Sequence, residues 1–305
     1  MKSTRAYLVT LTTFIKSSRL APYAILLLFI FISHVIILLT PGFFNDEEWG
    51  AFDRIRENGL SSYIQHSVLT IPDSRHGFSD SLRPIGYLHL GLAAVWMQSA
   101  PFVSHTMSVL VHALACILLV RVLAMLGAAP ALAYLSGALF SLSPLTTTAV
   151  GWIAANMDLW YIVFVLCSCI LLLNVAKRGL TFRSACGIVV CSGLAILSKE
   201  TALLLPGAML LLVLVARRAS PRNHIHLKDS LLGVSVSIVP MCVFLAIRMP
   251  ALAVSLSGNG HPAYRPELAN VARNAAYYVS YPFLYNLHEL INVVFVGSGS
   301  LILAL

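Results

Sequence analysis

The chain has 305 residues, 58% of them hydrophobic and 10% charged, where ordinary soluble domains carry about 25% charged residues. So apolar a chain cannot cover a water-facing surface, which excludes a soluble globular fold. The net charge of +8 does not point to nucleic acid, because the basic residues gather in short segments beside apolar runs. These groups are Lys2, Arg5, Lys16 and Arg19, then Lys177, Arg178 and Arg183, then Arg217, Arg218, Arg222 and Lys228, the pattern of cytoplasmic loops under the positive-inside rule.

The first predicted element is a span over residues 21–40. It matches a hydrocarbon core that needs roughly 20 residues of helix. The run follows a basic amphiphilic start and lacks a small-residue cleavage site, so it reads as a retained span rather than a signal peptide. Backbone amides in lipid must be bonded within their own segment, which makes the apolar runs helices. A long polar segment, residues 41–83, follows on the outer side. The chain re-enters over 84–97 as a short or partial helix and crosses at 103–126. It turns near Gly127 and Pro130 and crosses again to about Leu142, where Ser143-Pro144 ends the helix, since proline disfavours helical geometry in the residue before it. The next crossing covers 155–176.

From Arg183 to Arg218 the apolar stretch is broken by Ser198-Lys199-Glu200. One straight helix would place Lys199 and Glu200 at mid-depth, at a cost of several kcal/mol. Two shorter helices meeting at an outer turn avoid that cost and keep both basic ends inside. A span over 231–247 ends at Arg248, and a last apolar region starts near Ala275. The reading is an all-α polytopic membrane protein of about seven or eight transmembrane helices. Residues 1–305 form one module, with a long first extracytoplasmic loop carrying an amphipathic juxtamembrane helix. The chain stops at Leu305 inside an apolar run, which reads as a truncated form of a longer chain or as a short relative of one. The six cysteines all lie in apolar runs, where cysteine behaves as a small hydrophobe. Neither a disulfide framework nor a zinc site is indicated.

The first outer loop holds seven of the twelve acidic residues, Asp46, Glu47, Glu48, Asp53, Glu57, Asp73 and Asp80. Residues 45–59 read as an amphipathic helix whose Trp49, Phe52 and Ile55 lie on the bilayer surface. Helix capping accounts for part of the acid cluster: Asn45 suits the N-cap, Glu48 the capping-box position, and Asp46 and Glu47 favour the positive helix end. Asp46 also sits within a few residues of the membrane face, where a lipid-linked substrate presents its head group. A carboxylate there can take a proton from an acceptor hydroxyl. Further polar residues recur near outer helix ends: Arg83-Pro84, His105, Asn156 with Asp158, Lys199-Glu200 and Arg248. Under this topology they collect on the side of Asp46, and charges at the membrane rim are functional candidates. His105 and His112, two helical turns apart, suit core packing better than a metal site, which needs more ligands. No cofactor is evident, though Asp46 and Glu47 could hold a divalent ion together.

In this order, Asn45-Asp46-Glu47, Leu82-Arg83-Pro84-Ile85, His105-x6-His112, Phe140-Ser-Leu-Ser-Pro144, Ala149-Val-Gly-Trp-Ile153, Asn156-Met-Asp158-Leu and Leu197-Ser-Lys-Glu200 resemble the GT-C superfamily of membrane glycosyltransferases. The branch they resemble is the dolichyl-phosphate-mannose protein mannosyltransferase-like group, including integral-membrane O-mannosyltransferases that carry tetratricopeptide repeats. The resemblance covers residues 21–248. Members of the family run well past this length, and the repeat-bearing ones often have Arg where Asn156 stands.

The resemblance implies a hexosyltransferase that uses a polyprenyl-phosphate-linked sugar and inverts at the sugar on the periplasmic or lumenal side. An acid in the first outer loop is the implied base, which maps to Asp46 with Glu47 beside it. Lys199 and Arg83, with Arg248 as a further position, are implied to hold the lipid phosphate. Asp158 and His105 support the site or orient the loop, and Glu200 joins the substrate-binding positions. The partners expected are the lipid bilayer, the polyprenyl-phosphate-sugar donor, and a glycan, lipid or protein acceptor, with no nucleic acid. The short loops suit a bacterial inner membrane with a periplasmic site. A transporter or lipid flippase is the alternative class. It calls for related halves and charges near the midplane, whereas no repeat is visible here and the polar residues lie toward one face.

Overall fold

A computed structural model describes residues 20–39, 41–43, 46–71, 82–219 and 226–256. Every regular element among them is helical. In chain order they are α1 (Ala21–Ser33), α2 (Val35–Leu39), and α3 (Asp46–Tyr63), which runs into a π turn (Ile64–Val68). Next come α4 (Pro84–Ala94), α5 (Pro101–Met125), α6 (Pro130–Ser141) and α7 (Pro144–Gly151). A 3-10 turn (Ile153–Ala155) leads into α8 (Asn156–Arg178), followed by α9 (Phe182–Ser198). A second 3-10 turn (Glu200–Leu204) leads into α10 (Leu205–Ala219), and α11 (Leu227–Leu256) closes the described chain.

Four helical stretches are long and apolar enough to cross a membrane: Pro101–Met125, Ile153–Arg178, Glu200–Ala219 and Leu227–Ala251. Shorter apolar helices are Ala21–Ser33, Pro130–Ser141 and Phe182–Ser198. The chain is an integral membrane protein. Residues 1–71 and 82–247 form one compact unit; residues 72–81 and 248–305 form another, described only over 248–256. The apolar region expected from Ala275 onward lies outside the described residues.

Sequence punctuation sets these elements. Helices α4 to α7 each open on a proline, whose missing N–H would have had no intrahelical partner there. Gly127 (φ 90°) follows α5 and Gly179 (φ 84°) follows α8, supplying the left-handed backbone that L side chains resist. Thr181 and Ser184 form a reciprocal capping box at the start of α9.

Three contacts give the first unit its polarity. The Lys177 ammonium donates to the Met125 carbonyl at 2.8 Å, so α5 and α8 run side by side in the same direction. The His226 amide donates to the Ala176 carbonyl at 3.0 Å, which puts the start of α11 at that same end. Tyr23 meets Tyr134 edge-to-face at 5.4 Å, which brings the start of α1 there too. This end carries Arg121, Lys177, Arg178, Arg183, Arg217, Arg218 and Lys228, with Asp229 the carboxylate among them. The opposite end receives the beginnings of α3, α4, α5 and α8 and the Lys199 turn.

Three expectations need correction. The span over 21–40 is not one helix. At its break the Ser33 hydroxyl donates to the Ile30 carbonyl at 2.9 Å, and the His34 ring lies at the same distance from that oxygen. Polar side chains that compete for a ladder carbonyl break or bend a helix. The helix of the span over 231–247 does not end at Arg248 either, because α11 continues through Arg248 and Pro250 to Leu256. Arginine is a good helix former, and residues 249–256 contain no glycine to stop it. Thirdly, Phe52 and Ile55 pack against buried Ala51, Tyr63, Leu90, Ala93 and Ile153 rather than on the bilayer surface. At 100° per residue, positions 49 and 55 lie about 120° apart around a helix, whereas 48, 51, 52 and 55 share one face. That second face is the inward one, and Trp49 is left 43% exposed.

Helix α4 is held on several faces. A Cβ on Gly86 would stand 2.8 Å from the Met157 Cβ, and one on Gly91 would stand 2.4 Å from the Tyr63 ring. The Tyr63 hydroxyl donates to the Tyr87 carbonyl at 3.2 Å, and burial pushes its pKa up to about 12, so it stays a neutral donor. On other faces the Ser104 hydroxyl donates to the Ala93 carbonyl at 2.7 Å and the Trp160 indole to His89 Nδ1 at 3.1 Å. Gly86→Ala is expected to destabilise the protein by about 1–3 kcal/mol, because the facing Met157 Cβ is part of a helix and cannot swing away. Thermal unfolding in detergent checks this, with Gly207→Ala, where nothing lies within 4 Å, as the control that loses nothing.

Candidate functional site

Four charged residues from three separate segments meet at the end opposite the basic cluster. Arg83 sits at the N-cap of α4 (φ −130°, ψ 57°), with Pro84 at the next position. Asp158 lies in the first turn of α8. Lys199 is extended (φ −157°, ψ 134°) between α9 and the second 3-10 turn, which Glu200 opens. The break expected at Ser198-Lys199-Glu200 is therefore present, and it turns both charges toward the other helix ends.

The geometry is two interleaved ion pairs. Arg83 Nε donates to Glu200 Oε2 at 2.7 Å, while Arg83 Nη1 donates to the Met157 sulfur at 3.1 Å. The Lys199 ammonium donates to Asp158 Oδ1. Side-chain exposures are 28% and 26% for the first pair, 29% and 35% for the second. Each group thus keeps some contact with solvent while its partner screens most of its charge. In sum the four are neutral, and each cation is paired with a carboxylate from a different segment.

The acids of the first loop approach from α3. Asp46 opens this helix, but its side chain lies outside the described residues. Glu47 is exposed. Glu48 is 0% exposed, and its Oε1 accepts the Ile153 amide at 2.7 Å. Ile153 begins the 3-10 turn that feeds α8, so the first turn of α3 is bonded to the entrance of the helix that carries Asp158. His105, fully buried on α5, donates from Nε2 to the Gly42 carbonyl at 3.1 Å and stacks on Phe43 at 5.5 Å. It fixes the approach of the chain to α3. Asn156 is buried and bonds locally to the Ile153 carbonyl.

Arg83, Asp158, Lys199 and Glu200 are therefore brought together, His105 is tied to the loop before α3, and Glu47 lies one residue from the Glu48 contact. Arg248 lies on α11 where the second compact unit takes up the helix, and it is buried. No group of three His, Cys, Asp or Glu side chains among the described residues is arranged to hold a metal ion, and an ion shared by Asp46 and Glu47 would involve a side chain outside them. Two contributors were missed by sequence reasoning, Glu48 and Met157. Glu48 carried a signal: it falls on the face shared by Ala51, Phe52 and Ile55, and a carboxylate on an inward stripe calls for a partner. Met157 carried none, since a thioether in an apolar helix reads as core.

No protein-family model matches this chain, and neither does any curated protein or solved structure. What the cluster does has to be read from its own chemistry.

A double-mutant cycle on Arg83→Gln and Glu200→Gln, followed by unfolding in detergent, is expected to give a coupling of about 1 kcal/mol. That is the upper range for a partly exposed pair. A coupling indistinguishable from zero would mean that water, not the partner, satisfies each group.

Proposed function

We propose that this chain is a membrane glycosyltransferase that moves a hexose from a polyprenyl-phosphate-linked donor to an acceptor hydroxyl, with inversion. The observation that carries this reading is the meeting of Arg83, Asp158, Lys199 and Glu200 at the helix ends to which the α3 acids are bonded through Glu48. A transfer from lipid phosphate needs two things at one membrane face: a base for the acceptor and cations for the leaving group. This end of the unit has candidates for both.

In the proposed reaction the acceptor oxygen attacks the anomeric carbon from the face opposite the phosphate. Asp46 takes the hydroxyl proton, with Glu47 beside it. As the new C–O bond forms, the bond from the anomeric carbon to the phosphate oxygen breaks, and polyprenyl phosphate departs with the electron pair. Lys199 and Arg83 offset the charge that develops there, and Asp158 and Glu200 hold those cations in place when no donor is bound. A single displacement inverts the anomeric centre.

Sidedness follows from the basic end. With Lys177, Arg178, Arg217 and Arg218 in the cytoplasm, the charged cluster faces the periplasm or lumen. The short loops favour a bacterial inner membrane, and the short apolar helices with the region beyond Ala275 bring the proposed crossings to about seven or eight. A transporter reading would draw support from charges at mid-depth, but this cluster gathers at one end of the helices.

Asp46→Asn is expected to lower transfer from a polyprenyl-phosphate hexose by roughly a hundredfold or more, with donor binding kept within about threefold. Unchanged transfer in reconstituted membranes would remove Asp46 as the base. Lys199→Ala is expected to weaken donor binding about tenfold, since a charge-assisted bond to phosphate is lost; an unaltered affinity would take Lys199 out of the site. A cysteine placed at exposed Ser61 should react with an impermeant reagent from the outer side, and labelling only from the cytoplasm would reverse the arrangement.

A further inference from the structure

The carboxylate of Glu48 is fully buried, and a charge taken out of water costs several kcal/mol unless the protein replaces its solvation. Here Oε1 accepts the Ile153 amide at 2.7 Å, the length of a charge-assisted bond. Ile153 is the first residue of the turn leading into α8, where amides have no intrahelical acceptor. The local N-cap is Trp152, whose side chain makes no capping bond. A short polar side chain at that position would reach the amides of Ala154 or Ala155, the second and third of the turn, and leave this one open. Its acceptor comes from α3, 105 residues earlier in the chain.

A cap supplied across such a distance does something a local cap cannot, because it fixes two elements against each other. The Tyr63 bond to Tyr87 holds the far end of α3, beyond the break at Gly59, while near Glu48 the packing is by apolar side chains, Ala51, Phe52 and Ile55 against Leu90, Ala93, Ile153 and Ala154. Contacts of that kind are non-directional and tolerate sliding or rotation. The Glu48 bond tolerates neither. Asp46 and Glu47 immediately precede it on α3, and Asp158 lies five residues beyond Ile153.

We infer that Glu48 is a positioning residue: its buried carboxylate clamps the first turn of α3 to the entrance of α8, and so sets the acid pair Asp46–Glu47 against the Arg83, Asp158, Lys199 and Glu200 cluster. This inference rests on the glycosyl-transfer reading for what the two groups do, but not for the clamp itself. It assigns the third acid of the Asp46-Glu47-Glu48 run a role distinct from that of the other two: it meets no substrate and acts through its neighbours.

The test compares Glu48→Gln, which keeps an acceptor oxygen at the same place, with Glu48→Leu, which keeps the bulk and removes the acceptor. Spin labels on the full-length chain at exposed Arg54 and Leu204 report the distance from α3 to the Lys199 turn without any turnover. Wild type and Glu48→Gln are expected to give the same narrow distribution, and Glu48→Leu a broadened or displaced one. In transfer from a polyprenyl-phosphate hexose, Glu48→Leu should lower kcat about a hundredfold, the effect of displacing a base by an ångström or so. Its donor KM should stay within about threefold, and Glu48→Gln should restore most of kcat. Unchanged distances in Glu48→Leu would overturn the clamp, as would a Glu48→Gln variant as inactive as Glu48→Leu. Should the wild type transfer no sugar, the proposed function falls while the distances still judge the clamp. Should it transfer sugar with Glu48→Leu unaffected in both measurements, the clamp falls and the function stands.

Discussion

An ionised side chain in the hydrocarbon layer costs several kcal/mol, and that cost organises the first compact unit. It sends the cations of the short loops to one end of the helices and breaks the stretch between Phe182 and Ala219 so that Lys199 and Glu200 emerge at the other end. There the break cannot simply solvate its charges, since all four residues of the cluster are about two-thirds or more removed from water. Arg83 and Asp158 answer them, from a helix N-cap and from a first turn. The ion pairs are thus a consequence of where the helices can be interrupted.

Much of this was legible because the membrane makes sequence signals coarse and strong. Pro84 marks a helix start at the residue, Gly127 and Pro130 mark a turn, Ser143-Pro144 marks the end of the helix before it, and the Ser198-Lys199-Glu200 interruption was placed by cost alone. Four charged positions expected on one side do meet there. The partners were not legible. Arg83 and Glu200 are 117 residues apart in the chain, and nothing in their spacing distinguishes that pairing from Arg83 with Asp158. His34 was invisible for a different reason. A single polar residue in an apolar run looks affordable, yet its ring competes for a carbonyl of its own helix and ends α1.

Glu48 shows how a local rule can hide a tertiary one. Its place in the chain fits a capping box, and that fit satisfied the question of why an acid should stand there. The same residue also lies on the face with Ala51, Phe52 and Ile55, and the helical repeat makes that face the inward one. When two explanations share a residue, burial decides between emphases: a capping side chain on a surface helix keeps its solvent, whereas this carboxylate has none. The error over Trp49 has the same origin, because a stripe chosen by hydrophobicity at i, i+3 and i+6 drifts around the helix by a third of a turn.

The two cations of the cluster are held in different ways. Arg83 spends one N–H on the thioether of Met157, a weak acceptor, while Glu200 takes only its Nε. The guanidinium is therefore oriented by a carboxylate on one edge and under-used on the other. Lys199 has no such division, for its described bond goes to Asp158, and an anion approaching it competes with a full negative charge. The two cations are not equivalent in the resting arrangement. The guanidinium has its second edge to offer, and the ammonium the two N–H bonds that Asp158 does not take. The four side chains are charge-neutral in sum, and each cation is held by a carboxylate that comes from another segment.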